Sequence, residues 1–243
     1  MQSTDSTLAL HRSQPALDAF SVSFTLREDE QHIVSEWFPP PPARVLDLGV
    51  GNGRTTVAFK RMGYEVVGIE YCRELLAHGQ ALHPDVDMRE GDARCLDLPD
   101  ASFDAAIFSW NGIDYMKPVD ERMKVLAEIR RCVRPGGIVF LSSHNVGGVL
   151  YRLLRPWFLT LQGLRFIWDQ LAHWRSRGGW YFVWRDDSLG RPVFHSAPPV
   201  VQVRLLREAG LEPLAVRSVL RFREPASWWR DVHVNYVCRR PED

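Results

Sequence analysis

Apolar positions along the chain keep two rhythms. From residue 44 onward, short runs of Val, Ile and Leu alternate with stretches in which apolar side chains recur every three to four positions. Residues 45–48, 65–70 and 86–90 read as strands, with helices over 55–62 and 73–82 between them. This βαβαβ order favours a parallel sheet. The alternation continues with a strand at 103–110 and a helix at 119–133, where Met123, Leu126, Ile129 and Val133 form one apolar stripe. Pro135-Gly136-Gly137 then breaks the chain before a strand at 138–141. A helix at 200–209, capped by Gly210, and strands at 214–222 and 232–238 complete the pattern.

Two segments stand outside this rhythm. Residues 1–24 are polar and irregular; Ile33, Val34, Trp37 and Phe38 then sit at helical spacing before four prolines at 39–42. Residues 1–42 therefore read as an N-terminal docking or cap segment. Residues 145–191 hold Trp157, Trp168, Trp174, Trp180 and Trp184 with Arg152, Arg155, Arg165, Arg175, Arg177 and Arg185. They read as a Trp/Arg-rich insertion after the fifth strand, on the substrate side of one domain covering 1–243.

Composition narrows the class. Thirty basic residues balance thirty acidic ones, so the chain carries no uniform field for a polyanion, and no nucleic-acid partner is expected. A hydrophobic content of 45% is that of a folded globule rather than a disordered chain. The cysteines Cys72, Cys95, Cys132 and Cys238 lie far apart with no C-x-x-C pair, which argues against a zinc site or a disulfide framework. Reduced thiols, a cytoplasmic location and no metal are the expectation. The first twenty residues lack the apolar core of a signal peptide, and no run of about 18 apolar residues spans a bilayer.

The sharpest chemical signal is Val45-Leu46-Asp47-Leu48-Gly49-Val50-Gly51-Asn52-Gly53-Arg54, a buried strand running into a glycine-rich turn and then a helix. Glycines there let the main chain bend and approach a ligand closely. The dinucleotide fingerprint G-x-G-x-x-G needs glycine where this chain has Arg54. Asp47, two residues before the first glycine, would repel a pyrophosphate but suits an ammonium group. A plain strand-to-helix turn without ligand is the alternative. Glu70 ends the next strand, where a carboxylate can accept hydrogen bonds from both hydroxyls of an unphosphorylated ribose. Tyr71 follows and could pack on an adenine face. Glu90-Gly91-Asp92-Ala93 follows the third strand, where the Asp92 carboxylate and a neighbouring N–H could read adenine.

With VLDLGVGNGR, VVGIE, EGDA, FDAAIFSWNGIDY and LAEIRRCVRPGGIVFLS, residues 43–142 resemble the core of the class I S-adenosylmethionine-dependent methyltransferases. The resemblance implies a Rossmann-like α/β fold: a seven-stranded sheet flanked by helices, the last strand antiparallel and inserted beside the sixth. It implies S-adenosylmethionine as cofactor, with Gly49, Gly51 and Gly53 against its methionine part and Asp47 supporting the ammonium. Glu70 would hold the ribose, and Asp92 and Ala93 would read the adenine. Ser109, Trp110 and Asn111 would flank the sulfonium and the entering acceptor.

Methyl transfer from a sulfonium needs chiefly alignment, and a general base only where the acceptor keeps its proton at neutral pH. His144, in Ser142-Ser143-His144-Asn145 after the fifth strand, is the candidate base. Asp114 reads as a helix or turn cap. His195 reads as a surface residue, or else as entering from the insertion. The chain lacks the D/N-P-P-Y/F motif of base amino-methylating enzymes, a Pro-Cys nucleophile, the paired-glutamate loop of arginine methyltransferases and the clustered acids of the metal-dependent catechol type. What remains is metal-free methylation of a small-molecule acceptor at oxygen or nitrogen, such as a specialised metabolite. The insertion could line an acceptor pocket, rest on anionic lipid, stack on RNA or simply pack on the sheet. A noncatalytic cofactor-binding partner and a nicotinamide-dependent oxidoreductase are the rival functions.

Overall fold

The central strands are apolar almost without alternation, because helices cover both faces of the sheet they form. In β1 (Arg44–Leu48) the side chains of Val45, Leu46 and Leu48 are withdrawn from water, as are Ala105, Ala106 and Ile107 of β4 (Phe103–Phe108). The computed structural model describes residues 23–116, 119–148, 168, 182–185, 193–224 and 228–242. Helix α1 (Glu28–Trp37) precedes β1. It is followed by α2 (Arg54–Arg61), β2 (Glu65–Glu70), α3 (Arg73–Leu82) and β3 (Met88–Glu90). After β4 come a short 3-10 turn (Gly112–Tyr115), α4 (Val119–Cys132) and β5 (Val133–His144). Next are β6 (Phe182–Arg185), β7 (Val193–Ser196), α5 (Pro199–Glu208), β8 (Glu212–Ser218) and β9 (His233–Arg239).

Seven strands form one sheet in the order β3-β2-β1-β4-β5-β9-β8. The ladders from β3 through β5 are parallel, while β9 runs antiparallel to both β5 and β8. The expected sheet, with its last strand inserted beside the sixth, is the one observed. Helices α1 and α2 cover one face, where Ile33, Val34 and Phe59 meet Val45, Ile107, Phe140 and Val237. Helices α4 and α5 cover the other, with Leu126, Ile129 and Leu206 against Leu46, Val139, Leu141 and Tyr236. Neighbouring residues Val139 and Phe140 serve opposite cores, as the pleat requires.

Two expectations need correction. Pro135-Gly136-Gly137 does not separate α4 from the fifth strand; it lies inside β5. Phe103 pairs with Val133 and Ala105 with Ile138, so the extra residues bulge out of the ladder, and the Gly136 N–H donates to the Arg240 carbonyl at 2.8 Å. Downstream, β6 and β7 pair antiparallel as a separate two-stranded sheet, which the insertion reading did not contain. The remainder of the 145–191 segment, apart from residues 145–148 and 168, and all of residues 1–22 lie outside the described residues. The readings of that segment's tryptophans and arginines lie there with them, except for Trp168, which is exposed, and for Trp184 and Arg185, whose backbone lies in β6.

The chain crosses from β3 on one side of β1 to β4 on the other. Open α/β sheets bind ligands at such a reversal, outside the carboxyl ends of the strands. The polar residues predicted for the site gather along that edge.

Candidate active site

At the end of β1 the main chain turns through three left-handed glycines, Gly49, Gly51 and Gly53, with φ of +64°, +59° and +96°. L-residues avoid this region, and only glycine enters it without Cβ strain. A Cβ on Gly53 would lie 2.6 Å from Met88 Sδ, whereas one on Gly51 would meet nothing within 4 Å. The turn is therefore packed at its base and open at Gly51. The Gly51 N–H donates to Glu70 Oε2 at 2.7 Å, and the Cys72 N–H donates to Glu70 Oε1 at 2.8 Å. Two backbone donors thus fix the Glu70 carboxylate at the mouth of the turn. Tyr71 beside it is 48% exposed.

Asp47 lies beneath the turn rather than at its opening. It is buried, and its Oδ2 accepts the hydroxyls of Thr55 at 2.6 Å and Thr56 at 2.8 Å. Its Oδ1 is buried without a partner. Burial pushes its pKa up to about 7, against the opposing pull of the two threonine hydroxyls.

Asp92, assigned to adenine, has a partner that sequence reading missed. Arg94 binds it through the backbone N–H at 2.9 Å and through the guanidinium, whose Nη2 lies 2.5 Å from Oδ2. Burial raises the Asp92 pKa, but the hydrogen bonds from Arg94 outweigh it and hold the carboxyl below its ordinary value. Arg94 also reaches Glu121 on α4 at 2.7 Å. Ala93 lies between them, partly buried against the core.

Helix α1 contributes more than apolar docking. Glu30 is wholly buried and accepts both Nη atoms of Arg54, at 2.7 and 2.8 Å. The Ser109 hydroxyl donates to the same carboxylate, and the Arg27 N–H reaches it at 2.8 Å. Burial raises the Glu30 pKa, and the Arg54 hydrogen bond and charge more than reverse it. The guanidinium carbons of Arg54 and Arg27 lie 5.2 and 5.7 Å from the Trp110 ring centroid. Trp110 and Asn111 are consecutive left-handed residues at φ +51° and +58°, a strained conformation of the kind found at ligand sites. Trp110 remains 51% exposed.

At the neighbouring strand ends, the Asn111 N–H donates to Ser142 Oγ at 2.8 Å, and Asn111 Nδ2 lies 3.0 Å from His233 Nδ1. The rings of His144 and His233 face each other at 4.7 Å. His144 is the last residue of β5, not a loop residue beyond it. Its Nδ1 lies 2.8 Å from Asp114 Oδ2. Asp114 is thus no turn cap: its carboxylate points away from its own 3-10 turn to His144, Ser143 and Arg122. Burial, and then the nearby His144, pull the His233 pKa down to about 4. His195 lies on β7, and its side chain is outside the described residues.

Residues 45–137 match the family model for a methyltransferase domain, over the strands and turns that build this edge. Over that stretch, which is less than half of its length, the chain is similar to S-adenosylmethionine-dependent methyltransferases. Among its relatives, a demethylmenaquinone methyltransferase of Renibacterium salmoninarum is 36% identical over 110 residues, 44% of this chain and 45% of the relative. The match thus spans less than half of that relative's length. Solved structures share the fold. An S-adenosylmethionine-dependent methyltransferase of Methanosarcina mazei superposes with a TM-score of 0.67 at 19% identity, covering 90% of this chain and all of its own. The 1,6-didemethyltoxoflavin-N1-methyltransferase of Burkholderia thailandensis, with acceptor and S-adenosylhomocysteine bound, gives 0.62 at 18% identity, covering 99% and 91%.

The cofactor of the methyltransferases this chain resembles is S-adenosylmethionine, and the residues present fit it. Gly51 leaves open space above the turn, Glu70 presents a fixed carboxylate beside it, and the buried Asp47 Oδ1 and Asn111 Oδ1 have hydrogen-bonding capacity unspent. Among the described residues no group of three or more His, Cys, Asp or Glu side chains is placed to hold a metal ion, and no helix is long and apolar enough to cross a membrane.

Proposed function

We propose that this protein transfers the methyl group of S-adenosylmethionine to an oxygen or nitrogen of a small-molecule acceptor, with His144 as general base. The observation that carries this reading is the buried Asp114–His144 pair at 2.8 Å, at the same sheet edge as the glycine turn and next to the strained Trp110–Asn111 turn. When bound, the cofactor supplies a methyl carbon already activated by its sulfonium, so the protein's task is alignment and, for a protonated acceptor, removal of one proton.

Gly49, Gly51 and Gly53 would receive the methionine part, with Asp47 behind them. Glu70 would hold the ribose, Tyr71, Asp92 and Ala93 the adenine, and Ser109 and Asn111 the sulfonium side. In this reading residues 1–243 are one methyltransferase domain, capped by 1–42, with 145–191 on the acceptor side. The relatives support a small-molecule acceptor: one is named for demethylmenaquinone and one holds 1,6-didemethyltoxoflavin. A specialised metabolite is the acceptor class we favour. All four cysteines are free, which supports a reducing, cytoplasmic setting.

Calorimetry with S-adenosylhomocysteine and with NAD, followed by product analysis with isotopically labelled methyl donor in a source-cell extract, tests this function. Binding of the first ligand and a labelled small molecule are expected. Tight NAD binding without S-adenosylhomocysteine binding would overturn the reading. Cofactor binding with no labelled product would make the protein a noncatalytic partner.

A further inference from the structure

Asp114 has no exposed surface, and it collects three donors and faces a ring nitrogen. Its Oδ1 accepts the Ser143 hydroxyl at 2.6 Å and Arg122 Nη2 at 3.1 Å; its Oδ2 accepts the His144 backbone N–H at 2.7 Å and faces His144 Nδ1 at 2.8 Å. Arg122 is equally buried, and its Nη1 donates to Gln202 Oε1 of α5 at 2.7 Å. The ion pair is thus anchored from a second helix, and moving Asp114 would strand a buried guanidinium.

An ionised carboxylate only accepts hydrogen bonds, and a neutral imidazole carries one proton on one of two nitrogens. Asp114 is paired with Arg122 and faces His144 Nδ1 at 2.8 Å, so a single imidazole proton meets an acceptor when it sits on Nδ1. The lone pair that can act as a base is then on Nε2. The neighbouring ring is arranged the other way: with Asn111 Nδ2 as donor, His233 Nδ1 is an acceptor. Among the described residues, the charged and titratable groups acting on this pair include Asp114 from the 3-10 turn, Arg122 from α4, Arg27 preceding α1 and Asp231 preceding β9.

We infer that Asp114, clamped by Arg122, is a positioning residue that fixes His144 as its Nδ1–H tautomer, and that the acceptor is a group that keeps its proton at neutral pH, a hydroxyl or a protonated amine. This rests on the methyltransferase reading above. His144 Nε2 takes the acceptor's proton, the freed oxygen or nitrogen lone pair bonds to the donor methyl carbon, and the C–S pair remains on sulfur. The products are a methyl ether or methylamine, S-adenosylhomocysteine and an imidazolium that returns its proton to water. A carboxylate acceptor is already ionised at neutral pH and gains nothing from such a base.

The test is two-bond 1H–15N correlation NMR on the full chain, labelled at histidine and saturated with S-adenosylhomocysteine, with His144→Gln identifying the His144 signals. A protonated Nδ1 and bare Nε2 are expected in the wild-type protein, and Asp114→Asn should mix or reverse that state. A wild-type Nε2–H tautomer overturns the inference whether or not Asp114→Asn folds. Failure of S-adenosylhomocysteine to bind would instead remove the underlying methyltransferase reading. The labelled product supplies the second arm: the new methyl should sit on an ether oxygen or an amine nitrogen, and a methyl ester overturns the acceptor assignment. With that acceptor, Asp114→Asn should lower kcat by about 10²–10⁴-fold with KM little changed. An unchanged kcat would overturn the positioning role.

Discussion

Asp47 offers a quantitative check on the packing beneath the glycine turn. Its carboxyl has a pKa of about 7 in the folded chain against an ordinary value of 3.8, because burial withdraws water and only two hydroxyls replace it. The sign follows from linkage. Between about pH 4 and 7 the folded chain keeps a proton that the unfolded chain has released, so stability falls as pH rises through this window and levels off above it. The full difference is about 4 kcal/mol at 1.36 kcal/mol for each tenfold change in proton affinity. Asp47→Asn keeps the shape and an oxygen for Thr55 and Thr56, but removes the titration. His233 titrates in the opposite sense: with a folded pKa near 4 against an ordinary 6.5, its contribution is lost as pH falls through that interval. It does so in both proteins and cancels in the difference. Urea unfolding of wild type and variant at several pH values from 4.5 to 8 should therefore show the gap moving in favour of Asn by several kcal/mol. A gap that stays constant across this range would refute the account of Asp47 as a buried, under-solvated acid.

Three further outcomes are expected. Glu30→Gln should destabilise the chain by about 3–5 kcal/mol in chemical denaturation, because it leaves the Arg54 guanidinium buried against a neutral amide, and a Glu30→Gln/Arg54→Met double variant should recover part of that loss. Gly51→Ala should cost about 1–2 kcal/mol from its left-handed backbone alone. Gly53→Ala should cost more in the same assay, since its Cβ also meets Met88; equal losses would contradict the open mouth at Gly51. Glu70→Ala should weaken S-adenosylmethionine binding in calorimetry by about 2–4 kcal/mol, and an unchanged affinity would remove it from the ribose site.

What was legible in the sequence was what local pattern encodes. The strand Glu65–Glu70 and the helix Arg73–Leu82 have the bounds that hydrophobic periodicity alone assigns. The seven-stranded sheet with its last strand inserted antiparallel is what the family resemblance implies, and periodicity alone does not give it. Pro135-Gly136-Gly137 misled because the same residues that end a strand also build a bulge, and only the ladder to Phe103 and Ala105 distinguishes the two. Asp114 misled for a different reason. A carboxylate near a turn is locally a cap, and what made it a partner of His144 lies 30 residues away, with its counter-charge anchored by a residue 80 positions further on. Hydrophobic burial leaves a periodic trace; the choice of polar partner leaves none.

Arg54 is the case where that missing trace bears on the site itself. In the sequence it is simply the residue that breaks a dinucleotide fingerprint. In the fold it ties the N-terminal helix to the glycine turn: Arg54 opens α2 at the end of that turn, its guanidinium holds Glu30 of α1, and the same group lies against Trp110 at the end of β4. Asp29, the neighbour of Glu30, is bound by Asn235 of β9 at 2.7 Å. Two adjacent acids of α1 thus fasten the carboxyl end of β1 and the middle of β9, which flank the Asp114–His144 pair. Arg27, Asp29, Glu30 and Arg54 sum to zero charge, so the cluster contributes alignment rather than a net field. Alignment is also the principal demand of displacement at an activated methyl carbon. Strain at Trp110 and Asn111 is sustained in the same place, where Ser109 is fixed by Glu30 and Asn111 by Ser142. The helix that the apolar pattern marks as a docking element is, through its acids, part of the frame that holds the reacting edge in register.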